Sequence, residues 1–216
     1  MLDANHTLVL GRTGYGKTYF VRRLCWNADG VACVFVFNWN DRFTYDGNGQ
    51  PIHGLAQCYS IAQMNAALPT RFVIYNPSRE FPGAILDRKL GLAALKHFCR
   101  YVRQVSHGRP GRKLVCIAEL WMFCNDDTIP PELALLAQDG RGDRIEFVFD
   151  TQRPEELNGS IIGAATEIVC FRLDEKKALR AVSGMMGHDP VVIGQLPKGE
   201  FVSRTLDGAE LRGKLF

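Results

Sequence analysis

The chain has 216 residues, 46% hydrophobic and 23% charged, the balance of an ordinary globular protein with one sizeable core. No apolar run reaches the roughly 18 residues that a membrane span requires, and residues 1–6 lack the basic start and apolar stretch of a signal peptide. The net charge of +3 is too small to argue for nucleic acid by itself.

In chain order, the short apolar run at 7–10 reads as a strand. It leads into Gly11-Arg12-Thr13-Gly14-Tyr15-Gly16-Lys17-Thr18, which fits G-x-x-x-x-G-K-[ST] without mismatch. A helix is expected over 19–26. This strand, glycine loop and helix form the context in which backbone N–H groups cradle phosphate oxygens and the helix start adds positive potential. Lys17 is expected to reach the β- and γ-phosphates of ATP, and Thr18 to hold Mg²⁺.

Residues 31–37 read as a strand buried on both faces. Residues 38–51 are polar and turn-rich, with a tight-turn signal at Tyr45-Asp46-Gly47-Asn48-Gly49. Ser60 caps a short helix that Pro69 closes, and 71–75 reads as a strand. After a loop over 76–83, a helix is expected over about 87–106. Leu95, Phe98, Val102 and Val105 form its apolar face, and Lys89, Lys96, Arg100, Arg103 and His107 lie roughly opposite. Residues 113–118 read as a buried strand, 125–129 as a polar loop, and 130–138 as a helix opened by Pro130-Pro131. A strand at 145–149, a helix at about 155–165 and a strand at 168–171 follow. Asp174 is expected to cap a helix over 175–185, and 191–216 to form short strands and turns.

This alternation predicts one α/β domain over 1–216, with a mostly parallel sheet covered by helices on both faces. The seven cysteines are odd in number and form no C-x-x-C. They read as reduced, mostly buried thiols of an intracellular protein, with no spacing that favours zinc.

Two further pieces carry chemistry. Leu114-Val115-Cys116-Ile117-Ala118-Glu119 is an apolar strand ending in an acid that can polarise an attacking water. The acid that would serve the metal side is replaced by Ala118. Phe147-Val148-Phe149-Asp150-Thr151-Gln152-Arg153-Pro154 places Gln152 after a strand, where it can sense a γ-phosphate.

Together these pieces resemble the FtsK–HerA group of RecA-like P-loop ATPases, and more narrowly the viral genome-packaging ATPases. The resemblance rests on residues 11–18, Glu119 and Thr151-Gln152-Arg153-Pro154. It continues through Glu167-Ile168-Val169-Cys170-Phe171-Arg172-Leu173-Asp174 and Pro197-Lys198-Gly199-Glu200-Phe201-Val202, and so covers most of the chain. The narrower likeness is to packaging ATPases of internal-membrane, double-jelly-roll viruses. It implies ATP hydrolysis coupled to double-stranded DNA translocation by a homo-oligomeric ring, usually a hexamer. Partners would be capsid portal or vertex proteins and viral membrane proteins, in the host cytoplasm and at the virion packaging vertex. Such rings complete each site with a neighbour's arginine, and Arg141 and Arg144 lie where that finger is expected.

The sequence departs from the family at Ala118 and at Asp150, where a small residue is usual. One reading has Asp150 supply the displaced charge near the metal. A second has Glu119 serve the metal and hydrolysis run slowly, and a third has ATP bound without turnover. The acid-free stretch from Arg88 to Lys113, with eight Lys and Arg residues, is a candidate phosphate-facing surface. A cellular or plasmid DNA-transfer ATPase, a nucleotide-dependent phage assembly or export ATPase that moves no DNA, and a small-molecule kinase stand as alternatives.

Overall fold

The computed structural model describes residues 5–41, 43, 57–124, 128–205 and 207–216. The turn signal at 45–49 lies outside them. In chain order the elements are β1 (Thr7–Leu10), α1 (Lys17–Trp26), β2 (Val31–Phe37), β3 (Gln57–Cys58), α2 (Ile61–Ala67), β4 (Phe72–Tyr75), α3 (Arg88–Ser106), β5 (Arg112–Ile117), α4 (Pro131–Gly140), β6 (Ile145–Thr151), α5 (Gly159–Ala164), β7 (Glu167–Phe171), α6 (Lys176–Met186), α7 (Pro190–Gly194), β8 (Glu200–Thr205) and β9 (Glu210–Lys214).

The chain divides into two compact units. One unit comprises 24–118 and 129–147 of the described chain. It carries β3, β4, β2, β5 and the first half of β6, in that spatial order. Its core is apolar because β2 and β5 are buried along nearly their whole length. Phe37, Tyr75 and Phe98 pack there as an aromatic cluster, with Phe37 and Phe98 centroids 5.4 Å apart. The other unit comprises 5–23, 119–128 and 148–216, and carries the second half of β6, then β1, β7, β8 and β9. Its core includes Phe20, Phe171 and Phe201 in mutual contact.

The nine-stranded sheet therefore runs β3-β4-β2-β5-β6-β1-β7-β8-β9. β1 pairs in parallel with β6 and β7, and β2 with β4 and β5. Among the described strands β8 runs antiparallel to both of its neighbours, β7 and β9, with which it closes the sheet. The expected mostly parallel α/β sheet is met. β6 stands between the β1 that leads into the glycine loop and the β5 that leads into Glu119. All seven cysteines are buried. Among the described residues, no helix is long and apolar enough to cross a membrane.

Several local expectations need correction. The helix expected over 155–165 is broken into a 3₁₀ turn (Pro154–Glu156) and α5. Leu157 adopts an extended backbone between them, and Asn158 caps α5 through Ser160 N. Asp174 does not cap α6, which starts after Glu175 without a side-chain cap. The segment 191–216 is not all strands and turns, because Asp189 caps α7 through Val191 N. β3 is too short to leave a periodic signal.

Candidate functional site

The glycine loop joins β1 to α1, which begins on Lys17 itself. Gly11, Gly14 and Gly16 have φ of +142°, +85° and +115°, a region that L side chains rarely adopt. A Cβ at Gly11 would come within 2.7 Å of Phe171 Cβ, and one at Gly16 within 2.8 Å of Leu215 Cδ1. At Gly14 a Cβ would meet nothing within 4 Å. The loop is thus packed tightly on one side and open at Gly14. Lys17 is buried, with Nζ 3.4 Å from Arg12 O, and Thr18 is half-buried on the same turn.

The outer rim of the loop is fastened by the strand that follows α5. Arg12 N donates to Arg172 O at 2.9 Å. Arg12 pairs with Asp174, and Arg172 Nε donates to Asp174 Oδ1 at 2.8 Å. Both guanidinium groups lie over the Tyr15 ring, at 5.1 and 5.5 Å from its centroid. Tyr15 O accepts from Gly199 N at 3.1 Å. The rim residues are half-exposed or exposed, so these contacts order the loop more than they stabilise the chain.

Glu119 follows β5 and is 3% exposed. Its backbone is left-handed, with φ 52° and ψ 50°, a conformation that costs a non-glycine residue about 1–2 kcal/mol. The compensation is local. Glu119 N donates to Asp150 Oδ1 at 2.6 Å, and Asp150 is 1% exposed near the end of β6. Gln152, one residue past β6, donates from Nε2 to Glu119 Oε1 at 3.1 Å. Gln152 Oε1 in turn accepts from Thr13 Oγ1 at 2.6 Å. The loop, the acid after β5 and the amide after β6 therefore form one hydrogen-bonded chain, Thr13–Gln152–Glu119.

The expected site residues 11–18, Glu119, Asp150 and Gln152 thus fall in one unit, and the last three are directly linked to one another or to Thr13. Arg141 and Arg144 belong to the other unit, in the turn between α4 and β6. Both are exposed, and Arg144 has φ 56°. Trp121, Arg172 and Asp174 were not anticipated as members of the site. The only sequence signal for Trp121 is its position two residues after Glu119.

The expected basic surface is partly dismantled. Lys113 is 3% exposed and donates to Arg109 O at 2.5 Å and Asp143 O at 2.8 Å. Burial holds its pKa below the usual lysine value. Arg112 makes a two-pronged pair with Glu146, at 3.0 and 2.7 Å. Arg100 pairs with Glu132 at 2.5 Å. An open groove of about 660 Å³ remains, lined by Arg100, Arg103, Gln104, His107, Gly142 and Asp143.

Mg²⁺ and ATP suit this donor set in a specific way. Among the described residues no group of three or more His, Cys, Asp or Glu side chains gathers to hold a metal. A hydroxyl such as that of Thr18, completed by phosphate oxygens and water, is the incomplete protein shell that Mg²⁺ accepts.

No protein-family model matches the sequence, and no curated protein is a significant match. Solved structures do match. The genome packaging NTPase B204 from Sulfolobus turreted icosahedral virus 2, in complex with AMP, superposes with a TM-score of 0.69 at 14% identity. The match covers 100% of both chains. The chain has the fold of these ATPases. VirB4 of Thermoanaerobacter pseudethanolicus matches with a TM-score of 0.67 at 10% identity, over 98% of this chain and 89% of that one. The bacterial conjugative coupling protein TrwBΔN70 matches at 0.66 and 11%, over 98% and 85%. The mostly parallel α/β architecture expected from the motifs is therefore shared with these structures at the level of fold.

Proposed function

We propose that this protein is an ATPase that moves double-stranded DNA as one subunit of a homo-oligomeric ring, a hexamer, packaging a viral genome. The observation that carries the hydrolytic part is the hydrogen-bonded chain from Thr13 of the glycine loop through Gln152 to Glu119. It ties the group able to activate water to the loop able to hold phosphates. Lys17 would offset charge on the transferring phosphoryl group, and Thr18 would hold Mg²⁺, which when bound neutralises phosphate oxygens. Glu119 accepts a proton from a water that attacks the γ-phosphorus. The bond to the bridging oxygen breaks, and ADP and phosphate leave. Arg141 or Arg144 would complete a neighbouring subunit's site.

The packaging part is supported by the full-length likeness to a genome packaging NTPase. The comparable likeness to a conjugative coupling protein supports a DNA-transfer ATPase as the second reading. In the packaging reading, partners are capsid portal or vertex proteins and viral membrane proteins, and the sites of action are the host cytoplasm and the virion packaging vertex. DNA phosphates would meet the groove lined by Arg100, Arg103 and His107. Nothing in that groove suggests base reading, which suits a motor indifferent to sequence.

The test is phosphate release from ATP with and without double-stranded DNA at two salt concentrations. Lys17→Ala is the control for the site, and Arg100→Ala/Arg103→Ala the control for the groove. Stimulation by DNA that weakens with salt, vanishes in Lys17→Ala and drops in the double variant is the expected result. Hydrolysis indifferent to DNA would favour an assembly ATPase instead.

A further inference from the structure

The contacts on Glu119 extend beyond the residues that the phosphate-binding reading uses. Trp121 lies in the 3₁₀ turn Leu120–Met122 that directly follows Glu119. Its Nε1–H donates to Glu119 Oε2 at 3.0 Å, while Gln152 occupies Oε1. On the face of the indole lies Arg153, with Cζ 4.5 Å from the ring. Arg153 is itself placed from two sides. Its N donates to Thr151 Oγ1 at 3.0 Å, and its guanidinium reaches Glu156 Oε1 at 2.9 Å.

We propose that Trp121 is the positioning residue for Glu119, with Arg153 keeping the indole seated. This rests on the reading of Glu119 as the group that activates water. A glutamate carboxylate held at one oxygen still rotates about its last torsion, which is broad and roughly two-fold. Gln152 supplies one restraint, and its own amide can turn. A second donor on the other oxygen fixes the carboxylate plane, and indole is suited to this because Nε1 is a donor only. The left-handed backbone and the Asp150 bond fix the base of the same side chain. Main chain, first oxygen and second oxygen are thus held by three different side chains.

If Trp121 only filled space, a phenyl ring would serve almost as well. If it positions Glu119, the N–H matters. In phosphate release assays Trp121→Phe should lower kcat about ten-fold while KM for ATP stays within about two-fold. Trp121→His, which retains a ring N–H, should recover part of the loss. A Trp121→Phe kcat within two-fold of wild type would overturn the proposal, as would a loss confined to KM.

The contact can be read without turnover. The chain has three tryptophans, hence three indole N–H signals in a ¹H–¹⁵N spectrum. The Trp121 signal is identified by its loss in Trp121→Phe. It should move in Glu119→Gln, which removes the charge on the acceptor, and in Arg153→Ala. A signal unmoved by Glu119→Gln sinks the proposal whether or not the chain hydrolyses ATP. Absence of Lys17-dependent hydrolysis in the wild type would instead sink the functional reading and leave the spectrum to decide the contact.

Discussion

Lys113 and Glu119 are two ionisable side chains with the same exposure, 3%, one near the start of β5 and one just past its end. The partners shown for Lys113 are main-chain carbonyls, Arg109 O and Asp143 O. Those shown for the Glu119 carboxylate are side-chain donors, Gln152 and Trp121. A carbonyl in a folded backbone cannot leave without local unfolding, whereas an amide or an indole can turn away by rotation of a side chain. Burial alone therefore does not mark a functional charge. The kind of partner tells more: main-chain carbonyls make Lys113 part of the scaffold, whereas side chains set the Glu119 carboxylate, as the role proposed for it requires.

The strongest way to break this distinction is to remove each charge in turn. Glu119→Gln keeps the shape and a hydrogen-bonding oxygen but cannot take a proton. Loss of a general base typically costs 10²–10⁴-fold, so hydrolysis should fall by about that factor while ATP still binds and the melting temperature barely changes. Lys113→Met should do the reverse. It leaves two carbonyls without their donor, about 1–3 kcal/mol each at most, and should lower the melting temperature more than kcat. A Glu119→Gln variant that hydrolyses normally would remove Glu119 from the chemistry.

Asp150 sharpens the comparison, because two roles can be assigned to it. Its Oδ1 accepts the Glu119 N–H, and the sequence also suggested a charge near the metal. Asp150→Asn keeps an acceptor oxygen and loses the charge, while Asp150→Ala loses both. If Asp150 acts by holding the left-handed turn, Asp150→Asn should stay close to wild type and Asp150→Ala should slow hydrolysis roughly ten-fold. That factor corresponds to the ~1.5 kcal/mol of a weak hydrogen bond to a charged group. If it acts through charge, both variants should need more Mg²⁺ for half-maximal rate. Rate measured against Mg²⁺ concentration separates the two.

The same contrast explains what the sequence could disclose. The glycine loop was legible because its geometry is dictated by consecutive residues, with glycines at the three positive φ values and Lys17-Thr18 at the helix start. β2, β5 and β6 were legible because buried parallel strands are near-continuous apolar runs. Glu119 and Gln152 were legible as polar residues ending such runs, but their bond spans 33 positions and that of Gln152 to Thr13 spans 139. No local pattern encodes those pairings. Charge was the least legible property. Arg103 and Lys113 read alike in the stretch from Arg88 to Lys113, yet one is exposed and the other buried. The helix expected over 155–165 failed for a similar reason, since Asn158 offers its side chain to Ser160 N and restarts the helix there.

The smallest effect expected concerns the scaffold side and is read as stability against pH. Cys33, close enough to Lys113 and Arg109 to feel both charges, has its thiol pushed from 9.0 up to about 11 by burial, which outweighs those cations. Tyr101 is pushed from 10.0 to about 12, again chiefly by burial. Between pH 9 and 11 the unfolded thiol ionises while the folded one keeps its proton, so the folded state binds more protons and stability falls as pH rises. Lys113 has the opposite sign, because its lowered pKa makes the unfolded state bind more protons just below 10.5. Cys58 and Cys170, also raised from 9.0 by burial, act with Cys33 in the same window, and Tyr101 joins them above pH 10, so the net slope should be downward. One pH step beyond 9 costs about 1.4 kcal/mol at Cys33, which for a chain of this size is about 3–6 °C in melting temperature. The melting temperature should therefore be level up to about pH 8.5 and fall by that amount near pH 10, with the fall blunted in Cys33→Ala even though that variant starts lower. An equal fall in Cys33→Ala would mean that the alkaline limb belongs to the other buried thiols, Cys58 and Cys170, rather than to the thiol beside Lys113.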